Sequence, residues 1–242
     1  MDQNTFETTL NHNWASRFGC PTETIRQAGT TLLPAEILRG EAALTLWKVG
    51  QHSFLEFDPE LAKLVNDALA NFPAENALTA EAVVARLGEK RIAEHEQGFS
   101  RYLFPEDLPA ATLPAPDLIR PLTLADAGAL LALKGFLTSA EVEEGYVEIE
   151  HLAAFGCFSG AQLVAASSGY EMDGFLDLGV LTHSAHRRQG LGKAVVGALC
   201  GWAHTHGYLA QYRHAAENRG SARLAESLNF KVYAEEATFW LK

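Results

Sequence analysis

The sequence predicts an α+β protein built on a mixed sheet and divided into two domains. Three observations lead there. Residues 175–182 read as a buried strand that runs through a short polar turn into a helix at about Gly190. From Asp117 the elements read β-α-α-β-β-β-α-β-α-β-β over about 125 residues. Residues 104–116 hold four prolines, which oppose helix and sheet alike, so a semi-extended linker is expected there with a boundary near 115. The domains are then 1–115 and 116–242.

In the first domain, residues 1–75 carry few clear signals. Residues 24–33 read as a strand. Residues 42–49 and 53–57 read as a strand pair turning at Gly50-Gln51-His52. Asp58 and Pro59 open a helix as N-cap and first helical residue, with Leu61, Leu64, Val65 and Leu69 as its apolar stripe. A second helix is expected over 80–95, capped by Thr79, with Val83, Val84 and Leu87 turned inward.

The second domain reads more sharply. A short strand at 118–121 precedes a helix that starts at Thr123-Leu-Ala-Asp126 and runs through Leu130, Leu131 and Leu133. A glutamate-rich helix is expected over 139–147. Strands follow at 153–158 and 162–170, turning at Ser159-Gly160, and Asp173-Gly174 turns the chain into the strand 175–182. The helix 190–206 carries Leu191, Val195, Leu199 and Trp202 on one face and ends at Gly207. A strand at 208–215, a short helix at 221–228 and strands at 230–234 and 238–241 complete the chain. No internal repeat is visible.

Composition narrows the function classes. Hydrophobic residues make up 48% and charged residues 20%, as in a soluble globular protein. No apolar run is long enough for a bilayer, and Met1-Asp2-Gln3-Asn4 lacks the basic start of a signal peptide, so a cytoplasmic location without membrane attachment is expected. A net charge of −11 disfavours nucleic acid as a partner. Cys20, Cys157 and Cys200 are odd in number and far apart, which suggests neither a disulfide framework nor a Cys-x-x-Cys site. Trp14, Trp47, Trp202 and Trp240 are expected to fill core space.

The turn after residue 182 carries the chemistry. It reads Arg187-Arg188-Gln189-Gly190-Leu191-Gly192-Lys193. A helix N-terminus presents unpaired N–H groups and the positive end of the backbone dipole, so it seats an anion well. A P-loop would need Gly at Arg187 and Ser or Thr at Ala194. A dinucleotide fingerprint would need a small residue at Val195. Both readings fail. What remains, Arg-x-x-Gly-x-Gly between a strand and a helix, resembles the acyl-CoA pyrophosphate loop of the GNAT superfamily of N-acetyltransferases. A second feature supports the resemblance: Asn218-x-x-Ser221-x-x-Leu224, ending Leu228-Asn229-Phe230.

The resemblance covers about half the chain. It implies a GNAT acyl-CoA N-acyltransferase fold, with a smaller N-terminal α+β domain that shapes the acceptor site. It implies acetyl-CoA as co-substrate, with the diphosphate on Arg187, Arg188, Gln189, Gly190, Leu191, Gly192 and Lys193. The pantetheine arm would lie along Val180, Leu181 and Thr182, with Asn218 and Ser221 near its acyl end. It further implies that an amine attacks the thioester, which requires a proton acceptor. Asp177 is the first candidate and Glu171 the second. Strand alternation places Asp177 opposite Thr182 unless a bulge intervenes. The sequence departs from the family where a tyrosine commonly protonates the departing thiolate, since Ala225 stands there. Ser221, Tyr212 and His214 are the alternatives nearest in sequence. The subgroup with Asn-x-x-Ser-x-x-Leu-Ala and an extra N-terminal half is the one this chain resembles.

Other chemistries have less behind them. His183 and His186 lack a third metal ligand, His204 and His206 point different ways on a helix, and no metal is expected. No Gly-x-Ser-x-Gly is present. Arg213 and Arg219 could reach phosphates or a substrate acid, though solvated arginines are commoner. The expected function is therefore acetyl transfer from acetyl-CoA to a primary amine, on a small molecule or a peptide, by a monomer or homodimer. The rival is an acyl-CoA-binding module without turnover.

Overall fold

The computed structural model describes residues 2–108 and 118–242. The expected boundary near 115 lies outside the described residues. The fold consists of two compact units that interleave along the chain. One takes residues 1–7, 101–213 and 220–231, and the other takes 8–100, 214–219 and 232–242.

The second of these units is a mixed sheet with helical cover. Its strands are β1 (Gly29–Pro34), β2 (Ala43–Val49), β3 (His52–Phe57), most of β4 (Ile92–Tyr102) and β10 (Lys231–Leu241). The order is β1-β3-β2-β10-β4, with β1 parallel to β3 and β2 antiparallel to both β3 and β10. Helices α3 (Ala62–Leu69) and α4 (Ala80–Leu87) bury Val65, Val83 and Leu87 against Leu44, Leu46, Leu55 and Phe239. Each such side chain contributes about 1.5–3 kcal/mol by leaving water. Asp58 accepts from the Glu60 amide at 2.9 Å, and Thr79 accepts from Ala82 at 3.2 Å, so both expected caps form.

The other unit carries strands β5 (Ile119–Pro121), β6 (Ala153–Ser159), β7 (Gln162–Met172), β8 (Phe175–Thr182) and β9 (Ala210–Ala215), in the order β9-β8-β7-β6-β5. All neighbours are antiparallel except β8 and β9. Helix α7 (Leu191–Thr205) and helix α8 (Arg219–Ser227) cover one face, where Val196, Leu199 and Ala225 meet Leu176, Leu178 and Phe230. Helix α5 (Ala127–Lys134) covers the other, packing Leu130 and Leu133 against Ala166 and Leu181. Helix α6 (Ser139–Gly145) follows α5 and starts with a capping box between Thr138 and Glu141. Cys157 and Cys200 are buried, and both thiols are pushed up by that burial.

Several expectations need correction. Helix α1 (Gln3–Arg17) was not legible, although Phe6, Leu10 and Trp14 are all buried at four-residue spacing. The strand expected at 24–33 is a short helix α2 (Thr22–Ile25) followed by β1. The helix expected to reach residue 95 ends at Leu87, because Gly88 turns to φ +87°. Residues 92–102 then form an 11-residue strand whose first half is exposed and polar, so it lacks the alternation that marks a strand. The two terminal strands are one.

Candidate active site

The site starts from the way β8 loses one of its neighbours. On one side β8 stays paired with β7 through Thr182, in a register with no break. No bulge intervenes, so Asp177 and Thr182 lie on opposite faces. On the other side the parallel pairing with β9 is limited to Leu176–Ala210 and Asp177–Gln211. Beyond that point the β9-facing edge of Val180, Leu181 and Thr182 has no strand partner among the described residues. Backbone polar groups on such an edge need a partner, and an extended chain can supply it.

The turn follows directly. His183 caps a single 3-10 turn by accepting from the Ala185 amide at 3.1 Å. Arg188 adopts φ +61° and Gly190 φ +79°, a left-handed pair that brings the chain to the start of α7. No side chain caps α7, so the amides of Leu191, Gly192 and Lys193 begin the helix without one. A Cβ at Gly192 would come within 3.2 Å of Thr182 Oγ1, so the turn packs tightly on the end of β8. The cations are partly engaged. Arg187 donates to Glu141 Oε1 at 2.8 Å and to the Thr182 carbonyl at 3.3 Å. Lys193 Nζ donates to the Ser227 carbonyl at 2.6 Å.

Asp177 is buried on the face turned towards α5 and α6. Its Oδ2 accepts from the Tyr170 hydroxyl at 2.8 Å and from Arg213 Nε at 2.9 Å, and Arg213 Nη2 lies 2.7 Å away. Arg213 Nη2 also donates to the Tyr170 oxygen at 2.9 Å. Burial, reinforced by the Asp177 charge, pushes the Tyr170 phenol up to about 12. Asp177 Oδ1 is buried without a hydrogen-bond partner among the described residues. At the next residue on this face the C-terminus of α6 comes close. A Cβ on Gly179 would lie 2.2 Å from the Gly145 carbonyl oxygen, so only glycine fits.

The remaining expected residues are placed differently. Glu171 is exposed and pairs with Leu176, which puts it on the opposite face from Asp177. Asn218 lies in the turn before α8, its amide donating to the Ala215 carbonyl at 3.1 Å. Ser221 is on the first turn of α8 and hydrogen-bonds Tyr212, whose phenol is raised chiefly by burial. Ala225 is fully buried in the core beneath α8.

Sequence reasoning did not find the Tyr170–Asp177–Arg213 cluster. The signal was present: the two-residue turn Asp173-Gly174, with both φ positive, sets Tyr170 opposite Asp177. From sequence alone, Arg213 suits phosphates, a substrate acid or solvent, and nothing local points it to Asp177. Among the described residues no group of three or more His, Cys, Asp or Glu side chains could hold a metal ion. No described helix is long and apolar enough to cross a membrane.

Comparison with known proteins bears on the family and the fold. Residues 126–230 match the model of the Acetyltransferase (GNAT) family. No curated protein matches the sequence. Among solved structures, a GNAT-family acetyltransferase from Colwellia psychrerythraea superimposes with a TM-score of 0.53 at 17% identity, covering 78% of this chain and 76% of its own. A GCN5-related N-acetyltransferase from Sphaerobacter thermophilus gives a TM-score of 0.51 at 14% identity, covering 78% and 71%. A conserved protein of unknown function from Staphylococcus epidermidis gives 0.51 at 10% identity, covering 78% and 84%. At these identities the likeness is one of fold.

Proposed function

With residues 126–230 forming a domain of the GNAT acetyltransferase family, we propose that the protein transfers an acetyl group from acetyl-CoA to a primary amine. The observation that carries this reading is the end of the β8–β9 pairing at Asp177, with an uncapped helix N-terminus directly beyond it. An extended pantetheine arm fits the open edge of Val180, Leu181 and Thr182. A diphosphate fits the amides of Leu191, Gly192 and Lys193, with Arg187, Arg188 and Gln189 beside it. Ser221, on the first turn of α8, completes the acyl end. The thioester supplies the activated acetyl group, and the chain positions and deprotonates the acceptor.

Asp177 supplies the negative charge on the acceptor side. Its Oδ2 is held by Tyr170 and Arg213 and its Oδ1 is buried, so that charge acts through these neighbours and not by direct contact with an ammonium. Glu171, in solvent on the other face, has a weaker claim. Ser221, hydrogen-bonded to Tyr212, is our candidate to protonate the sulfur in place of the tyrosine common in the family, since Ala225 stands at that position.

The test is calorimetric binding of CoA, followed by acetyl-CoA turnover with a panel of spermidine, phenethylamine, glucosamine and alanyl-alanine, read as free thiol. Saturable binding with amine-dependent thiol release supports the reading. Binding with no release across the panel favours the rival, an acyl-CoA-binding module, for which Ala225 is the supporting feature. Absence of CoA binding overturns both.

A further inference from the structure

His151 lies in the loop between α6 and β6, on the same face as Asp177. Its ring is held on three sides. Nδ1 is 2.8 Å from Ser168 Oγ, and the rings of Tyr146 and Tyr170 are each centred 5.1 Å away. Ser168 is fully buried and accepts the Glu148 amide at 3.1 Å, so the anchor itself is fixed. Tyr146 is equally constrained: it caps α6 in the left-handed region, with φ +39°, and is half exposed.

Register gives this histidine its meaning. Ser168 pairs with Gly179, two residues past the point where β8 parts from β9. The imidazole is therefore anchored at the level where the open edge of β8 begins. Tyr170 links it to Asp177, because its ring touches His151 while its hydroxyl donates to Asp177.

We propose that His151 is the proton acceptor for the attacking amine, with Ser168 as its positioning residue. The inference rests on the acetyl-transfer reading and deepens it. Ser168 Oγ accepts a hydrogen bond from Nδ1–H, which keeps that proton on Nδ1 and leaves the Nε2 lone pair for the substrate. One ammonium proton passes to Nε2. The amine lone pair forms the bond to the carbonyl carbon, and the carbon–sulfur bond breaks with its electron pair on sulfur. The nitrogen loses its second proton, the sulfur gains one, and the imidazolium releases its own to water. One acetyl thioester and one ammonium thus give one amide, one thiol and one proton.

Electrostatics suit the role. Burial lowers the proton affinity of His151, and Lys134 adds to that, while Glu148 and Glu150 oppose it. Lys134 is itself ion-paired to Glu148 at 2.7 Å. Beyond those groups, the aromatic neighbours are the phenols of Tyr146 and Tyr170, and the Asp177–Arg213 pair lies behind Tyr170. A neutral imidazole at pH 7 can receive a proton, a task worth about 100-fold or more in rate.

The experiment is nitrogen NMR of the histidine rings in the full-length protein, with His151→Gln for assignment and CoA as the added probe. The neutral Nδ1–H form is expected at pH 7, with a clear shift on CoA addition and a changed tautomer balance in Ser168→Ala. With any amine of the panel that turns over, His151→Gln lowers kcat by about 100-fold or more, leaves CoA affinity unchanged and removes the acid limb of the pH profile. An Nε2–H ring, an imidazolium at pH 7, or CoA binding seen by calorimetry with His151 unmoved would overturn the assignment and leave acetyl transfer standing. Absence of CoA binding would overturn the transfer reading and this inference with it.

Discussion

Arg187 Nη2 stands 2.8 Å from Glu141 Oε1, so the first cation of the turn before α7 is tied to the first turn of α6. On the proposed reading, a diphosphate would compete with this carboxylate for one guanidinium. The Thr138 amide, helped by Arg187, holds the Glu141 carboxyl below its usual range. Glu141→Gln keeps a capping box, because Gln serves at that position, and removes the competing charge. CoA affinity is expected to rise roughly two- to fivefold, a small gain because the pair is half exposed. Calorimetry at fixed ionic strength checks it, and weaker binding would contradict the competition.

Gly190 tests the turn from the backbone side. At φ +79° any L side chain is strained, although a Cβ there meets nothing within 4 Å. Gly190→Ala is expected to cost roughly 1–2 kcal/mol of stability, from strain alone. CoA affinity should drop with it as the amides of 191–193 tilt. A denaturant titration beside calorimetry separates the two effects.

The Asp177–Arg213 pair predicts a stability loss of a different kind. Arg213→Met leaves a buried carboxylate without its cation. The expected cost is about 1–3 kcal/mol, below that of a fully buried pair because Arg213 is 39% exposed. Asp177→Asn combined with Arg213→Met should recover part of it. A double mutant no more stable than Arg213→Met alone would show that the charge is not the cause.

Tyr170 makes the fold sensitive to alkali. Burial, with the Asp177 charge beside it, pushes its phenol up to about 12 in the folded chain, against 10 for a free tyrosine. The folded state therefore holds the proton more tightly than the unfolded state. This contribution is complete below pH 10 and is lost as pH rises from 10 towards 12. The difference in ultraviolet phenolate absorbance between wild type and Tyr170→Phe should appear only near the top of that range. A titration near pH 10 would refute the buried contact with Asp177.

Restoring a tyrosine at position 225 is expected to damage the fold and give no faster enzyme. Ala225 has no exposed surface and sits among Leu199, Tyr212, Leu228 and Phe230. Ala225→Tyr overpacks this core by an aromatic ring, costing about 1–3 kcal/mol. A stable, more active variant would mean that the helix has room for a proton donor there.

The legible part of the sequence was the part with strong local signals. Residues 175–182 are an apolar run with a hairpin turn before and a glycine turn after, and the structure places β8 on those residues. Helix α7 and the caps at Asp58 and Thr79 were equally local. What escaped lacked such signals. The first half of β4 is polar and exposed, and only its neighbours make it a strand. Of the candidate site, only the turn was legible: Gly190 and Gly192 mark the break between β8 and α7 by their type. Arg187 bound to Glu141, or His151 held by Ser168, depends on pairs 46 and 17 residues apart that no local pattern encodes.

The most direct measurement is an amide NMR titration of the full-length protein with CoA. The account predicts that the signals of Val180, Leu181 and Thr182 and of residues 189–193 move together and saturate at one equivalent. Saturable shifts confined to other surfaces, or no shifts at millimolar CoA, would contradict it.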